Sequence, residues 1–487
     1  MRHLQLEIDP QGLEHLSKEA REFVHAKVRE GDVLYQDVAV HLKGSVGSFR
    51  PLDDKPAFTL DFPHFHSDQR FHGLRRIHLN NSVEDPTYCN EILGGELFRA
   101  AAVPCPRVSR AIVTLNGRKL GLYTLKEGFT EDFLFCYFQN VGGNLFEPDE
   151  GHDVNEHLKK TSVRAGASGR ATLKGLSQAA LDPNLSQRWN RLESVLETDR
   201  FLTFMALEVM LCHRDGYCLA RNNFRLYENA ETRKMVFLPQ GMDQLFGIPE
   251  LPWMPHMAGL VARAVLETPQ GAQRYREVSK SLFQSVLQLR DLTNRVDQLV
   301  QQLRSVVTGS EYARIESAAA DLIDRIGKRH QFLQAQMTNG PTKALEFRQG
   351  IACLDSWTKI DQPASGQMGT GLSPDGITSL EILTREEATP SWRTKAVLEP
   401  GRYHFEGKVR VEAVKALPFG THQGAGLRIA GNVRQSEDFV GTASWREVSA
   451  PFEVRGSVQE IEFICELRAR SGQAWFDQAS LRVVKEP

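Results

Sequence analysis

Several features that would assign the chain to a broad class are absent. The seven cysteines form no CxxC pair, which argues against a zinc site. No uninterrupted apolar stretch reaches the ~20 residues that a bilayer-spanning helix needs. The net charge is −2, so no global basic field indicates a nucleic-acid partner. The N-terminus has no signal-peptide segment. This leaves the compartment open: cytoplasmic, or secreted or at the cell surface if a signal has been removed.

Common catalytic motifs are absent as well. The sequence contains neither the P-loop pattern GxxxxGK[ST] nor the kinase glycine loop GxGxxGxV. It also lacks the hydrolase elbow GxSxG and the zinc-protease motif HExxH. Any phosphate or metal site must therefore be assembled from residues outside these motifs.

The chain has 487 residues, more than the roughly 250–300 at which a single hydrophobic core stops growing. The apolar periodicity changes from helical spacing to alternation near residue 340. We expect an α+β domain over 1–338, with a polar insertion at about 148–188. A linker follows at 339–348, and an antiparallel β-sandwich of jelly-roll type is predicted at 349–487. A pairing of Cys353 with Cys465 inside the sandwich stays open.

Four segments of the first domain carry clear local signals. The run 107–129 predicts a β-hairpin, because two β-rich segments flank Asn-Gly. The run 85–102 predicts a helix that starts at its Asp-Pro pair. The apolar run 201–212 predicts a buried helix. Apolar residues at helical spacing predict one long helix over 271–307.

Polar side chains follow the buried helix and a second hairpin within 199–247. Asp215 comes after the helix, Asn222 and Asn223 precede a strand, and Asp243 follows the next strand. Carboxylate and carboxamide oxygens can hold a divalent metal on a phosphate. Taken singly, these residues are better explained by turn chemistry, but their combination on consecutive elements indicates a site.

Basic residues that could bind a phosphate group occur near the N-terminus. Lys43, Arg50 and Lys55 lie in one predicted strand–loop–strand unit. Glu127, at the end of the predicted hairpin, could fix such a lysine. Taken singly, each of the three cations is more typical of a solvated surface residue, and Glu127 of an ordinary exposed charge at a strand end.

The chain resembles the CotH kinase family over about residues 1–340. The resemblance runs in order through five sequence blocks: HLKGS with DKPAFTLDF, RRIHLNNSVEDPTYCNEILGGELFRAAAVPCPRV, VTLNGRKLGLYTLKEGF, RDGYCLARNNFRLY and FLPQGMDQLFG. It implies an atypical kinase-like fold that binds ATP with Mg²⁺ or Mn²⁺ and phosphorylates proteins on Ser or Thr.

The resemblance also implies roles for single residues. Asp215 takes the position of the catalytic-loop Asp, and Asp243 with Asn223 takes that of the metal ligands. The sequence departs from the family at Gln240, where members have Trp, and at Gly241, where they have a further Asp.

The cofactor-binding positions follow from the same resemblance. Lys55, supported by Glu127, corresponds to the lysine that neutralises phosphate charge. Lys43 stands where many members have Arg, and Arg50 lies in the same unit. ATP and a divalent metal are the expected cofactors.

The last domain resembles carbohydrate-binding modules of galactose-binding-like type, with AWFDQASLRVV similar to their closing strands. Its aromatic residues fit either a sugar-stacking platform or the sandwich core: Trp357, Trp392, Tyr403, Phe405, Trp445 and Trp475. The expected partners are a Ser/Thr protein substrate and a glycan, with no nucleic acid. The alternatives are a catalytically weak or inactive surface-binding protein of the same fold, and a glycan hydrolase.

Overall fold

A computed structural model describes most of the chain. The described residues are 1–45, 47–161, 170–338, 345–360, 366–417, 423–430, 436–454 and 458–486. The chain divides into two compact units, Met1–Thr338 and Asn339–Pro487. Within the described part, no helix has the length and apolarity to cross a membrane.

The first unit begins with a closed seven-stranded barrel. The strands are β1 (Arg2–Glu7), β2 (Val24–Glu30), β3 (Val33–Lys43), β4 (Ala57–Asp61), β5 (Arg76–Asn80), β6 (Val108–Leu115) and β7 (Arg118–Glu127). They close in the order β1-β2-β3-β4-β5-β7-β6, with β1 parallel to β6. The predicted hairpin is confirmed as β6 and β7. Asn116 and Gly117 turn with φ of 47° and 80°, the left-handed region that Asn-Gly tolerates.

Two helices pack on the barrel, α1 (Pro10–Lys18) and α2 (Asn90–Ala100). The predicted start of α2 at the Asp-Pro pair is wrong. The Asp85 carboxylate instead accepts hydrogen bonds from the backbone N–H groups of Thr87 and Asn90, at 3.0 and 2.8 Å. It therefore organises a loop that leads into the helix.

The rest of the first unit combines a small sheet with helices. The strands are β8 (Leu145–Pro148), β9 (Leu158–Lys160), β10 (Phe224–Glu228) and β11 (Met235–Pro239), in the order β11-β10-β8-β9. The helices are α3 (Glu131–Phe135), α4 (Ala171–Ala180), α5 (Leu185–Val195), α6 (Thr198–Met210), α7 (Tyr217–Ala220), α8 (Leu260–Glu267), α9 (Pro269–Ser285), α10 (Leu289–Gln301) and α11 (Gly309–Thr338). The predicted insertion contains β9 and α4, and its residues 162–169 lie outside the described part.

Helix α6 is the buried helix predicted from its apolar run. The prediction of a single long helix over 271–307 is wrong, because a short non-helical segment separates α9 from α10. Leu287, in the break, is only 1% exposed, so the apolar spacing continues through a segment that is not helical.

The second unit is an antiparallel β-sandwich. Its strands are β12 (Ile351–Cys353), β13 (Thr358–Ile360), β14 (Gly366–Leu372), β15 (Thr378–Thr384), β16 (Ser391–Leu398), β17 (Gly401–Ala416), β18 (Gly424–Ile429), β19 (Gly441–Val454), β20 (Gln459–Asp477) and β21 (Arg482–Lys485). Strand β20 belongs to both layers: its first half pairs with β16 and β18, and its second half with β15 and β17.

Most of the sandwich aromatics are buried. Trp392, Tyr403, Phe405 and Trp475 are at most 4% exposed, whereas Trp357 and Trp445 are partly exposed. Cys353 and Cys465 are both free thiols. Of the predicted linker, residues 339–344 lie outside the described part.

Candidate functional site

Asp215 lies in the turn between α6 and α7. The turn is tied to the segment after β11, because the His213 Nε2 atom lies 3.0 Å from the carbonyl oxygen of Gln240. The Asp215 carboxylate is partly exposed and accepts hydrogen bonds from Asn222 Nδ2, at 3.1 and 3.2 Å. Two carboxamides orient it, because Asn223 Nδ2 also donates to it, at 2.5 Å.

Asn223 links the turn of Asp215 to the loop of Asp243. Its carbonyl oxygen accepts a hydrogen bond from the backbone N–H of Gln240, at 3.0 Å. Its carboxamide lies against Gly241, where an added Cβ would be only 2.2 Å from Asn223 Oδ1. Both residues adopt left-handed backbone, with φ of 48° and 59°. Asn223 therefore occupies the space that a side chain at position 241 would need.

Asp243 is a partly buried carboxylate near like charges. Burial, followed by the nearby Glu91, raises the pKa of Asp243 to about 7, while Lys126 opposes the shift. Its loop is fixed to the start of α2, because Asn90 Nδ2 donates to the Asp243 carbonyl oxygen at 2.9 Å. The Asn90 Oδ1 atom is buried and has no hydrogen-bond partner among the described residues.

Lys126 and Glu91 form a buried ion pair beside Asp243. Lys126 Nζ on β7 lies 2.9 Å from Glu91 Oε2 on α2, and the two side chains are 6% and 4% exposed. The pair joins the barrel to α2 near the loop that carries Asp243.

Lys43, at the end of β3, belongs to the same group of charges. Its Nζ donates to Asn80 Oδ1 at 2.5 Å. Burial and the nearby Lys126 lower the pKa of Lys43 to about 8, whereas Glu91 and Asp243 favour its charged form. Lys43 is therefore close enough to interact with both acidic residues of the site.

A neutral histidine lies among the cations. Burial, followed by Lys43, Arg76, Lys126 and Arg225, lowers the pKa of His78 well below its usual value. Positive groups from the barrel and from β10 thus converge on one region. Asp61, Glu91 and Glu147 pair with Arg76, Lys126 and Arg225, so within the described part of the chain Lys43 is the cation of this region without a carboxylate partner.

Three predicted cofactor-binding residues lie elsewhere. We expected Lys55 to pair with Glu127, but the structure shows no such pair. Lys55 Nζ donates to Tyr88 Oη at 2.7 Å, and burial lowers its pKa to about 8. Glu127 instead accepts hydrogen bonds from the Arg107 guanidinium, at 2.6 and 2.9 Å. Arg50 donates to the carbonyl oxygen of Gly47, in its own loop.

Lys126, the lysine that lies beside Asp243, could have been identified from the alternation of side chains along β7. Leu122 on β7 packs with the helical core, whereas Tyr123 and Leu125 fill the barrel. Lys126 shares the parity of Leu122 and faces α2, whereas Glu127 has the opposite parity. Glu91, His78 and Arg225 carried no local signal, because charged residues in a first helical turn or a strand are common.

The donor groups near Asp243 limit which metal fits. Among the described residues, no group of three or more His, Cys, Asp or Glu side chains is arranged so that it could hold a metal ion. One carboxylate with neutral carboxamides fits Mg²⁺ or Mn²⁺, which bind through one or two carboxylates and keep several waters. The raised pKa of Asp243 is consistent with a carboxylate that a cation would stabilise in its charged form.

Comparison with known proteins gives a family match. The sequence model described as "CotH kinase protein" matches residues 40–338. The chain is 20% identical to inner spore coat protein H of Bacillus subtilis over 299 residues, which cover 56% of this chain and 82% of that protein. It is 26% identical to invasin CotH2 of Rhizopus delemar over 190 residues, which cover 35% of this chain and only 32% of the invasin.

Solved structures give weaker similarities. The Helicobacter pylori proinflammatory kinase CtkA matches with a TM-score of 0.28 and 8% identity, covering 60% of this chain and 96% of that one. TmCBM61 in complex with β-1,4-galactotriose matches with a TM-score of 0.21 and 14% identity, covering 27% of this chain and 88% of that one. These scores are too low to support an argument about function.

Proposed function

This chain belongs to the CotH kinase protein family, and from that premise we propose that it transfers the γ-phosphoryl group of ATP to Ser or Thr hydroxyls of a protein. The observation that carries the proposal is the buried Lys126–Glu91 ion pair beside Asp243. Protein kinases need a lysine–glutamate pair between a strand and a helix at the phosphates, together with an acidic metal ligand. The arrangement of these three side chains supports the same use here.

Asp215 is the proposed acceptor of the hydroxyl proton. Asn222 and Asn223 donate to its carboxylate, and these bonds fix the position of a side chain that is partly exposed. A carboxylate fixed in this way can orient the attacking hydroxyl and take its proton as the new P–O bond forms.

Asp243 is the proposed metal ligand, and the carboxamide oxygen of Asn223 is the proposed neutral ligand. ATP with Mg²⁺ or Mn²⁺ would supply the phosphoryl group and charge neutralisation. Lys126 and Lys43 are the proposed phosphate-binding cations, because both lie near Glu91 and Asp243, whereas Arg225 pairs with Glu147.

The proposal is tested by phosphate transfer. Purified full-length chain is incubated with γ-labelled ATP and either Mg²⁺ or Mn²⁺, with casein as the acceptor, and its thermal unfolding is followed with the same ligands. We expect metal-dependent labelling of casein or of the chain itself, and a higher melting temperature with ATP and metal. The absence of both labelling and stabilisation would overturn the proposal.

A second candidate function is a catalytically weak or inactive binding protein of the same fold. The packing of Asn223 against Gly241 favours it, because a second acidic side chain cannot occupy position 241 in this arrangement. Stabilisation by ATP and metal without any transfer would select this alternative.

The β-sandwich is proposed to target the first unit to a surface that carries glycans. The partly exposed Trp445, whose indole N–H donates to Asp375, supports this role. The targeting role is independent of phosphoryl transfer and can be tested separately.

A further inference from the structure

Glu208 is a fully buried carboxylate near the end of α6, and the proposed mechanism does not use it. Among the described residues it forms no ion pair, and its hydrogen bonds come from Tyr217 and Cys218. Burial raises the pKa of Glu208 to about 7, while these hydrogen bonds oppose the shift. Burying a carboxylate without a cation is costly, so its presence indicates that the groups around it require an acceptor.

The two oxygens of Glu208 hold the segment that follows Asp215. Oε1 accepts a hydrogen bond from the backbone N–H of Tyr217 at 3.1 Å, and Oε2 accepts one from the backbone N–H of Cys218 at 2.8 Å. These are the first two N–H groups of α7, which have no acceptor within the helix itself. The carboxylate therefore fixes the start of α7, two residues after Asp215.

Gly216 places the turn directly against this carboxylate. A Cβ added at Gly216 would lie 2.7 Å from Glu208 Oε1 and 2.8 Å from His213 Cδ2. The backbone N–H of His213 also donates to the carbonyl oxygen of Glu208, at 2.8 Å. Glu208 thus holds the chain on both sides of Asp215, and only a residue without a side chain fits between the carboxylate and the His213 ring.

We propose that Glu208 is a positioning residue for phosphoryl transfer, which sets the place of the Asp215 carboxylate through the backbone of residues 216–218. This inference rests on the proposed function. Asn222 and Asn223 bond to the Asp215 carboxylate itself, whereas Glu208 bonds to the backbone that follows it. A group that takes the hydroxyl proton must lie within hydrogen-bond distance of the attacking oxygen, and a displacement of about 1 Å can lower the rate about 100-fold.

A carboxamide cannot replace the Glu208 carboxylate in this role. Glutamine keeps the size of the side chain, but it has one acceptor oxygen, and its NH₂ group would face a backbone N–H. One of the two N–H groups of α7 would then lack an acceptor, which favours a shift of the turn. Glu208→Gln should therefore displace Asp215 while leaving Asp243 and the lysines of the site in place.

The experiment measures the steady-state kinetics of casein labelling by the full-length chain, with ATP and Mn²⁺ or Mg²⁺, at about pH 8, where the Glu208 carboxylate is charged. We expect Glu208→Gln to lower kcat about tenfold or more. KM for ATP, and the rise in melting temperature with ATP and metal, should change less than about twofold. Gly216→Ala should act in the same direction, because its Cβ displaces the turn from the carboxylate.

Glu228→Gln is the matched control. Glu228 is a second buried glutamate, which accepts a hydrogen bond from Asn144 at 2.6 Å at the end of β10, outside the turn of Asp215. Its loss should lower the melting temperature and leave kcat per folded molecule unchanged. The control thereby separates a general loss of stability from a displacement of Asp215.

The outcomes separate the role of Glu208 from the proposed function. If the parent labels casein and both Glu208→Gln and Gly216→Ala keep kcat within about twofold, the positioning role is wrong and phosphoryl transfer stands. An equal loss of kcat per folded molecule in Glu228→Gln, or a change confined to KM for ATP, also overturns the role. A parent that labels no protein overturns the proposed function and this inference with it. If Glu208→Gln does not fold, Gly216→Ala decides between these results.

Discussion

Lys126 on the barrel and Glu91 on α2 are joined by a 2.9 Å ion pair that is nearly excluded from solvent. The preceding residue of the same helix, Asn90, donates a hydrogen bond to the backbone carbonyl of Asp243. The position of α2 is thereby linked both to a barrel lysine and to the loop of the proposed metal ligand. This relationship makes the pair the natural target of a first set of variants.

Replacing Lys126 with Met should abolish measurable phosphoryl transfer and lower stability. The buried Glu91 carboxylate would lose its partner, which typically costs about 3–5 kcal/mol. The double variant K126M/E91M separates the two effects, because replacing a buried ion pair with apolar residues of similar size is often neutral in stability. We expect the double variant to fold but to remain inactive in casein labelling.

Lys55→Met is the matched control. Lys55 contacts Tyr88 rather than the charges around Asp243, so its loss should leave the rate of transfer within a few-fold of the parent. If Lys55→Met shows no phosphoryl transfer while K126M/E91M remains active, Lys55 and not Lys126 is the phosphate-binding lysine.

The different positions of Lys55 and Lys126 show which features of the fold can be predicted from sequence patterns and which cannot. The Asn-Gly hairpin and the buried helix before Asp215 follow from local rules of turn geometry and apolar periodicity. Which lysine faces the site depends on the register of β7 against α2. The break between α9 and α10 also escaped prediction, because its apolar residues keep nearly helical spacing while Leu287 is buried.

Asp243→Asn should stabilise the metal-free protein at alkaline pH. The folded-state pKa of about 7 lies above the unfolded value near 3.9, so the folded state loses stability as pH rises from about 4 through about 7. Because a shift of about 3 pKa units corresponds to about 4 kcal/mol, removing the charge should recover up to about 4 kcal/mol at pH 8, and nothing at pH 4. Urea unfolding at both pH values measures this difference, with the exposed Asp297→Asn as control. Equal effects at both pH values would show that Asp243 is not destabilised by burial.

Gly241→Asp should not restore a second metal ligand. An added Cβ lies 2.2 Å from Asn223 Oδ1, so the carboxamide must move away. We expect a loss of about 2 kcal/mol in unfolding free energy, together with reduced transfer. Gly247→Ala, where an added Cβ meets nothing within 4 Å, should be near neutral. If Gly241→Asp raises activity at unchanged stability, the packing of Asn223 does not limit the site.

Arg329, on α11, should be a strong determinant of stability. Its fully buried guanidinium donates to the carbonyl oxygens of Val209 and Met210, at the end of α6, at 2.8 and 3.0 Å. It also donates to Pro249, beyond the loop of Asp243. Arg329→Met leaves these buried carbonyl oxygens without a hydrogen-bond donor and should lower the free energy of unfolding by about 3 kcal/mol or more. The midpoints of denaturant unfolding test this prediction, with Lys328→Met, at an exposed position, as control. A midpoint of Arg329→Met equal to that of the parent protein would contradict it.

The candidate site itself was predictable only in part. Asp215, Asn223 and Asp243 lie on consecutive elements, so their proximity could be expected from short connections in the sequence. Glu91, His78 and Arg225 come from a helix and two strands that are distant along the chain. Their convergence depends on tertiary packing, for which a single sequence gives no local signal.

The measurement that tests the central claim most directly is the rate of casein labelling by Asp215→Asn, with ATP and Mn²⁺ or Mg²⁺, beside the stabilisation of the same variant by ATP and metal. Asparagine keeps the size of the side chain but cannot take the hydroxyl proton. Phosphoryl transfer at this site predicts a loss of about 100-fold or more in rate, with ATP-dependent stabilisation retained. An unchanged rate in Asp215→Asn would contradict it.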